Sequence, residues 1–567
     1  MPNIQDKLLS FFYSVQFFLF TLSPQPSALS PQPSVLTPQS SKMTFISLIY
    51  GVFLLSVLGI YWSFQKQSLQ MWTLLVVSLV FYTSLQAPTL VNEHWLQILA
   101  SPQVAYIPLL IAITLMNFSL GKAIGENTAL GMYATDPHED WQFDQAFWNR
   151  QRLKFLWLGI VLNVLLLVSF KYVPFFLNSV AGFYEQFTGT SLPVAENSAS
   201  WVSTHLIAPL GLSFFSFECI AYLIDVYRGA PATERFLDFA AYKLFFPKLI
   251  AGPITRYHQF STQLKTLQFP TLNQITEGLW LIACGAVKKA LLADRLGIFV
   301  DLCFGNLERA SSGDLWLAIA AYGLQLYLDF SGYVDIARGS AILLGFNLPE
   351  NFNFPYFSTS IADFWRRWHI TLGDWLRNYL YFPLGGSRQG LRRTCLNLLI
   401  IMLIAGIWHG AAWGYVVWGA YHGLALVAHR LTEAHSRQSE KARNWWKSLP
   451  GVLVAWLLTQ FMVFTSWIFF RLPNLKQSSW VIQHLWGQSA DAQFAEKVYG
   501  EALGVNASQL GLLLWLLAAS MFLVYAVHRG LKLQLNWPLK LLLVPLCFYI
   551  VWIFAPQGGL PYIYFDF

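Results

Sequence analysis

The sequence predicts an all-α polytopic membrane protein. Of its 567 residues 55% are hydrophobic and only 11% are charged, whereas a soluble domain carries about 25% charged residues. Apolar runs of roughly 20 residues, enough to cross about 30 Å of hydrocarbon, recur along the chain. The 24 Trp, 25 Tyr and 46 Phe residues supply many rings of the kind that settle at the headgroup level or pack between helices.

Two regions are expected, a Pro/Ser-rich extension at 1–42 and a single membrane domain at 43–567. The extension contains a direct SPQPS repeat within LSPQPSALSPQPSVLTPQSS, residues 22–41, a tract that forms no core. Met43 is therefore read as the functional start, or residues 1–42 as a dispensable tail. No A-x-A-like cleavage site follows the short apolar stretch ahead of the repeat. Spans are predicted near 44–63, 71–88, 103–120, 155–177, 205–227, 449–471, 510–527 and 538–555. Lys66, Lys122, Arg150, Arg152 and Lys154 flank the early spans, while 178–204 lacks Lys and Arg. The bias of Lys and Arg toward the cytoplasm then puts Met43 and 178–204 outside. Arg437, Lys441, Arg443 and Lys447 mark an inner loop, as do Arg529, Lys532 and Lys540, which leaves the C-terminus external.

Between 236 and 430 the apolar runs are interrupted by Pro247, Gly252, Pro253, Lys288, Lys289, Asp329, Asp335, Arg338, Pro349, Pro355 and the arginines of 366–393. Irregular backbone and charge survive at membrane depth only inside protein or beside a water-filled cavity. Broken, tilted and re-entrant helices around an interior funnel are expected. The stretch 394–429, bounded by Arg393 and Arg430, suits a hairpin better than one span. His409 would then lie about 24 Å along a helix from the basic entry, deep in the bilayer.

Two histidines, each preceded by a tryptophan, stand out in these apolar surroundings: His369 in FWRRWHITLGDW and His409 in IAGIWHGAAW. A charged side chain at membrane depth costs about 2.5 kcal/mol or more, so an ionisable group there marks a pathway or a reaction site unless a partner neutralises it. A buried neutral imidazole is suited to accept a proton from a hydroxyl and return it to a leaving group. Position alone equally allows a packing residue, a proton relay or a tunnel lining shared with Ser331 and Thr371. No carboxylate or cysteine set completes a metal site at recognisable spacing, and none is expected. The five cysteines show no CxxC pattern and read as small core residues. A formal charge of +7 raises nucleic-acid binding, but the basic residues are scattered between apolar segments and form no stripe, which excludes it. Asp329, Asp335 and Arg338 read as an internal ion-paired scaffold. His422 reads as structural, and His258 and His429 receive no role.

Residues 205–430 carry a series of phrases: PLGLSFFSFECIAYLIDVYRG (209–229), FFPKLIAGPITRY (245–257), LYLDFSGYVDIARGSAILLGFNLPENFNFPY (326–356), FWRRWHITLGDWLRNYLYFPLGGSR (364–388) and GIWHGAAWGYVVWGAYHG (406–423). In order and spacing the chain resembles the membrane-bound O-acyltransferase (MBOAT) family, in its bacterial branch of alginate O-acetylases and teichoic acid D-alanyl transferases. The resemblance implies a ring of tilted and broken transmembrane helices around a central funnel or tunnel, with re-entrant and interfacial helices and a catalytic core at about 205–430. It also implies an O-acyltransferase that passes an acyl group from a cytoplasmic thioester to a hydroxyl on the far side. His409 looks like the family's catalytic histidine and His369 like the second histidine of this branch. His409 is expected to act as general base. His369 is expected to orient the thioester or to stabilise the developing oxyanion with its N–H.

On this reading no cofactor is permanently bound. Acetyl-CoA is the expected donor, favoured because the wording is nearest the alginate-type branch. Arg366, Arg367, Arg377 and Arg388 would make a positive cytoplasmic mouth that steers it. The ending GGLPYIYFDF resembles a C-terminal FIYF-type signature of this branch, and Tyr564, expected at the external face, could relay the acyl group through its phenol oxygen. The acceptor is expected to be an exopolysaccharide or a secreted SGNH-hydrolase-like transferase. The location is expected to be the bacterial inner membrane, in contact with membrane lipid. The alternatives are D-alanyl transfer from a carrier protein to teichoic acid or, from another class, a proton-coupled transporter or flippase.

Overall fold

A computed structural model describes residues 45, 47–84, 102–126, 150–205, 208–533, 535–556 and 559–565. Residues 1–42, Met43 and the last two residues lie outside these, and with them the readings made for both termini. The described chain is helical, with one isolated bridge between Phe352 and Trp368. In chain order the N-terminal helices are α1 Leu48–Ser63, α2 Gln67–Ser84, α3 Pro102–Glu126 and α4 Arg150–Thr188. They continue with α5 Pro193–His205, α6 Leu212–Tyr227, α7 Phe236–Lys243 and α8 Tyr257–Lys265. The middle holds α9 Leu272–Ala286, α10 Asp294–Gly305, α11 Ser312–Leu343, α12 Ile361–Arg367, α13 Ile370–Leu376, α14 Gly390–His409 and α15 Trp413–Gln438. The remainder is α16 Glu440–Lys447, α17 Leu449–Arg471, α18 Leu475–Gln483, α19 Ala507–Gly530 and α20 Trp537–Phe554.

The outer helices present apolar side chains outward. On α20 Leu542 is 70% and Trp552 81% exposed, and leucines in that position have only lipid to contact. Six described helices are long and apolar enough to cross a membrane: α4, α14, α17, α19, α20 and the Tyr106–Gly125 part of α3. The protein is thus an all-α, multi-pass membrane protein. Helix α16 is short, with Trp445 half exposed beside its basic residues, and suits the interface.

Two expectations need correction. The run at 205–227 is not one span. Helix α5 ends at His205, the backbone turns at Gly211 with φ 76°, and α6 then runs for 16 residues buried on almost every side. A Cβ at Gly211 would lie 2.7 Å from the Leu249 carbonyl oxygen. Helix α11 is also not broken by its charges. It runs unbroken for 32 residues, about 48 Å. Ser311 starts it with a capping box, its Oγ accepting the Asp314 N–H at 3.1 Å while the Asp314 carboxylate accepts the Ser311 N–H at 2.8 Å. The charges are tolerated because lysines on a π-helical turn, Val287–Ala293, meet them: Lys288 reaches Asp335 at 2.6 Å and Lys289 reaches Asp329 at 2.6 Å. Arg338 pairs instead with Glu350, at 3.3 Å. The scaffold exists, but its partners come from elsewhere in the chain.

Elsewhere the middle is broken as expected, with the seven-residue helices α12 and α13 and a π-helical turn at Arg377–Tyr381. Helices α9 and α11 touch backbone to backbone: a Cβ on Gly285 would lie 2.5 Å from the Gly332 carbonyl oxygen, and one on Gly332 2.9 Å from that of Gly285. Small residues permit this approach where lipid gives no hydrophobic drive for helices to associate. The hairpin expected at 394–429 is α14 and α15, closed by Gly406 and Gly419 in the same manner. Buried Arg152 ties two helix ends together, donating to the carbonyls of Ile124 (3.0 Å), Val226 (3.2 Å) and Tyr227 (2.9 Å), a cation placed at the negative end of the helix dipole.

Candidate active site

His369, His409 and Tyr564 lie 40 or more residues apart in sequence, yet their rings meet in the core. Tyr564 has its ring centroid 6.1 Å from that of His369 and 6.1 Å from that of His409. All three are buried, at 0%, 3% and 5% exposure.

His409 is the last residue of α14, and the following Gly410 is extended (φ −166°). The final carbonyls of that helix have no intrahelical partner. A lysine from α4 serves them: Lys171 Nζ donates to the Trp408 oxygen at 2.8 Å and to the His409 oxygen at 3.1 Å, while the Tyr172 hydroxyl donates to the Ile407 oxygen at 2.8 Å. Both residues come from the π-helical turn Val168–Tyr172; such turns are frequent at functional sites. The His409 imidazole is boxed by Trp418 and Phe470, each 5.1 Å away, and its Nδ1 has no hydrogen-bond partner among the described residues.

His369 caps α13 from a left-handed conformation, φ 44°, where an ordinary residue costs roughly 1–2 kcal/mol. The ring contacts Phe330 (5.0 Å) and Phe214 (6.1 Å, nearly parallel). Its Nδ1 lies 3.2 Å from Asn351 Oδ1, and its buried Nε2 has no hydrogen-bond partner among the described residues. Trp408 Nε1, also buried, is likewise unpartnered among the described residues, with its ring 6.2 Å from that of His369. Buried polar atoms are almost always paired, so His369 Nε2, His409 Nδ1 and Trp408 Nε1 keep hydrogen-bonding capacity that no described residue uses.

Tyr564 is buried inside the protein. The segment leading to it is held inside by charge. Lys289 reaches Asp294 at 2.7 Å as well as Asp329, and donates to the Pro561 oxygen at 3.0 Å. Asp329 accepts the Ile563 N–H at 3.0 Å and Asp294 the Leu560 N–H at 3.3 Å. Phe330 then stacks on the Tyr564 ring at 3.9 Å.

Three of the four mouth arginines are paired with nearby carboxylates. Arg366 (3.6 Å) and Arg367 (2.8 Å) share Asp363, and Arg377 pairs with Asp374 at 2.8 Å. Arg388 is exposed. His422 donates through Nε2 to Ser466 Oγ at 2.9 Å, because that hydroxyl's own proton goes to the Val463 carbonyl. His258 lies 3.9 Å from Asp225, and His429 lines a 470 Å³ cavity between α15 and α17. No group of three or more His, Cys, Asp or Glu side chains suited to a metal occurs among the described residues. Sequence reasoning missed Asn351 and Lys171. Asn351 lay inside a quoted phrase, but nothing in its neighbours marked it, and Lys171 is a single cation in an apolar span, which was itself a signal.

Residues 154–470, more than half of the chain, match the membrane-bound O-acyltransferase family. The chain belongs to that family. It is 38% identical over 374 residues to a protein of Pseudomonas syringae pv. tomato named probable alginate O-acetylase AlgI, covering 66% of this chain and 65% of that protein. A peptidoglycan O-acetyltransferase of Helicobacter pylori is 35% identical over 411 residues, 68% of this chain and 71% of that one. A teichoic acid D-alanyltransferase of Streptococcus thermophilus is 26% identical over 287 residues, 46% of this chain and 68% of that one. The chain thus spans slightly less than two thirds of the alginate-type relative.

Proposed function

We propose that this protein is a membrane O-acyltransferase that moves an acetyl group from cytoplasmic acetyl-CoA to a hydroxyl of an extracytoplasmic polysaccharide, directly or through a secreted SGNH-hydrolase-like partner. The observation that carries this reading is the pair of buried imidazoles flanking the Tyr564 phenol, with His369 Nε2 and His409 Nδ1 unpaired among the described residues. A thioester carbonyl is activated enough for direct attack, so the demanding step is removal of a hydroxyl proton in a dry site. An imidazole supplies the base. The proton is returned to the leaving thiolate.

Tyr564 is the acyl relay on this reading: its oxygen takes the acetyl group and yields it to the final acceptor. The family's tunnel would bring the donor from a cytoplasmic mouth bearing Arg366, Arg367, Arg377 and Arg388. The protein would lie in the bacterial inner membrane with Met43 and the C-terminus outside. Acetyl is preferred to D-alanyl because similarity to the O-acetylases is higher and covers more of the chain.

The test is transfer of labelled acetyl from acetyl-CoA in membrane vesicles. His409→Ala and His369→Ala are each expected to lower the rate by about 10²-fold or more at unchanged expression. Full activity of His409→Ala overturns the mechanism. Tyr564→Phe is expected to abolish transfer and any labelled acetyl ester retained on the protein; unchanged transfer removes the relay alone.

A further inference from the structure

One buried amide decides which nitrogen of His369 is free to work. Asn351 is 1% exposed and sits in the extended stretch ahead of Phe354. This stretch runs beside 367–370: the Asn353 N–H donates to the Arg367 oxygen at 2.9 Å, the Ile370 N–H donates to the Asn351 oxygen at 3.0 Å, and Phe352 bridges Trp368. The backbone of Asn351 is thereby fixed against the left-handed His369.

The side chain is fixed just as closely. Its Oδ1 lies 3.0 Å from the Thr371 backbone nitrogen, 3.0 Å from Thr371 Oγ1 and 3.2 Å from His369 Nδ1. A backbone N–H can only donate, so the amide atom facing it is the oxygen, and a flipped amide would set donor against donor. The Thr371 hydroxyl accepts the Ile254 N–H at 3.1 Å, which leaves its own proton to point at the same oxygen. His369 Nδ1 therefore faces an acceptor and must carry the proton. In the neutral ring Nε2 then holds the lone pair, and Nε2 is the buried atom without a partner among the described residues.

We propose that Asn351 is a positioning residue that holds His369 in its Nδ1–H form and so makes His369 Nε2 a base of the acyl-transfer site; this rests on the function proposed above. His369 is then a proton acceptor and not the N–H donor to the oxyanion expected from sequence. The hydroxyl of Tyr564, or of an acceptor in its place, gives its proton to Nε2 as its oxygen bonds to the thioester carbonyl carbon. The C–S bond breaks, and the departing sulfur takes the proton from Nε2–H. Asn351 Oδ1 keeps its hydrogen bond to Nδ1–H throughout and steadies the imidazolium formed in between. An analogous acceptor behind a catalytic imidazole is worth several orders of magnitude when its loss allows the wrong tautomer.

The test combines nitrogen-15 spectra of histidine-labelled protein in lipid with acetyl-transfer kinetics for wild type, Asn351→Leu and Asn351→Asp. His369 in wild type is expected to show a bare Nε2 and a protonated Nδ1. Asn351→Leu is expected to move the proton to Nε2 and to lower kcat by about 10²–10⁴-fold at nearly constant KM for the donor. Asn351→Asp, which still accepts from Nδ1–H, is expected to regain most of that loss. A protonated Nε2 in wild-type protein overturns the proposal without need of any variant, as does unchanged kcat in folded Asn351→Leu. Asn351→Asp as inactive as the leucine variant, with both folded, also overturns it. A wild-type protein that transfers no acetyl group fails the proposed function instead, and the tautomer is read separately.

Discussion

At the scale of single residues, the informative atoms are those left unpaired. Trp408 Nε1 is buried beside both histidines without a partner among the described residues; on the proposed mechanism it would donate to the developing oxyanion. Trp408→Phe keeps the ring and removes the N–H; in the vesicle assay it is expected to lower kcat by about 10²-fold with insertion unchanged. Lys171 is the opposite case, a cation spent entirely on carbonyls at the end of α14. Lys171→Met is expected to cost about 1–2 kcal/mol, read as a lower midpoint for thermal inactivation, and to reduce transfer because His409 is the residue it anchors. The histidines were legible because an imidazole in an apolar run has few uses. Asn351 was not, since its meaning lies in a hydrogen bond to a residue 18 positions on, which sequence cannot display.

At the scale of helices, legibility followed lipid exposure. Helix α17 begins and ends where its hydropathy begins and ends, at 449 and 471, because one side of it faces lipid and its composition must say so. Helix α11 escaped the pattern, since its carboxylates are answered by lysines 40 and 47 residues earlier in the chain, and local composition reports the charge without its partner. Helix α6 escaped for another reason: it is buried on almost every side and Gly211 turns the chain just ahead of it, while its Glu218 is met by Lys243 at 3.0 Å and Lys248 at 2.6 Å. Close helix contacts give a further prediction. A side chain at Gly406 would strike the Tyr415 carbonyl and the backbone of Gly419, so Gly406→Val is expected to pry α14 from α15 at a cost of about 1–3 kcal/mol or more. Folded yield in detergent measures it, and Gly51→Val, with open space around its Cβ, serves as the control.

At the scale of the molecule, a lipid-facing shell surrounds a charged interior. Leu546 lies near the centre of α20 and is half exposed, so Leu546→Arg is expected to cost about 2.5–3.5 kcal/mol of insertion free energy, measured by glycosylation mapping or protease protection. In the interior, Lys289 stands between Asp294 and Asp329. Lys289→Met leaves two carboxylates buried without their counter-ion and is expected to cost about 3–5 kcal/mol; Lys289→Met combined with Asp329→Asn recovers part of the loss in the same inactivation assay. Counting spans assigns Tyr564 a side of the membrane but not its burial inside the protein. The polar groups that draw its segment inward are two aspartates and a lysine on other helices.

That inward tail has a consequence for how the protein is made. The two imidazoles and the phenol between them come from α13, α14 and the stretch beyond α20, and the lysine–aspartate clasp that seats the phenol comes from α9 to α11. A chain still being threaded into the bilayer owns the reactive groups only as separate pieces. On the proposed mechanism, half-inserted protein thus has no assembled centre with which to consume acyl donor, and transfer begins only when the last segment has docked.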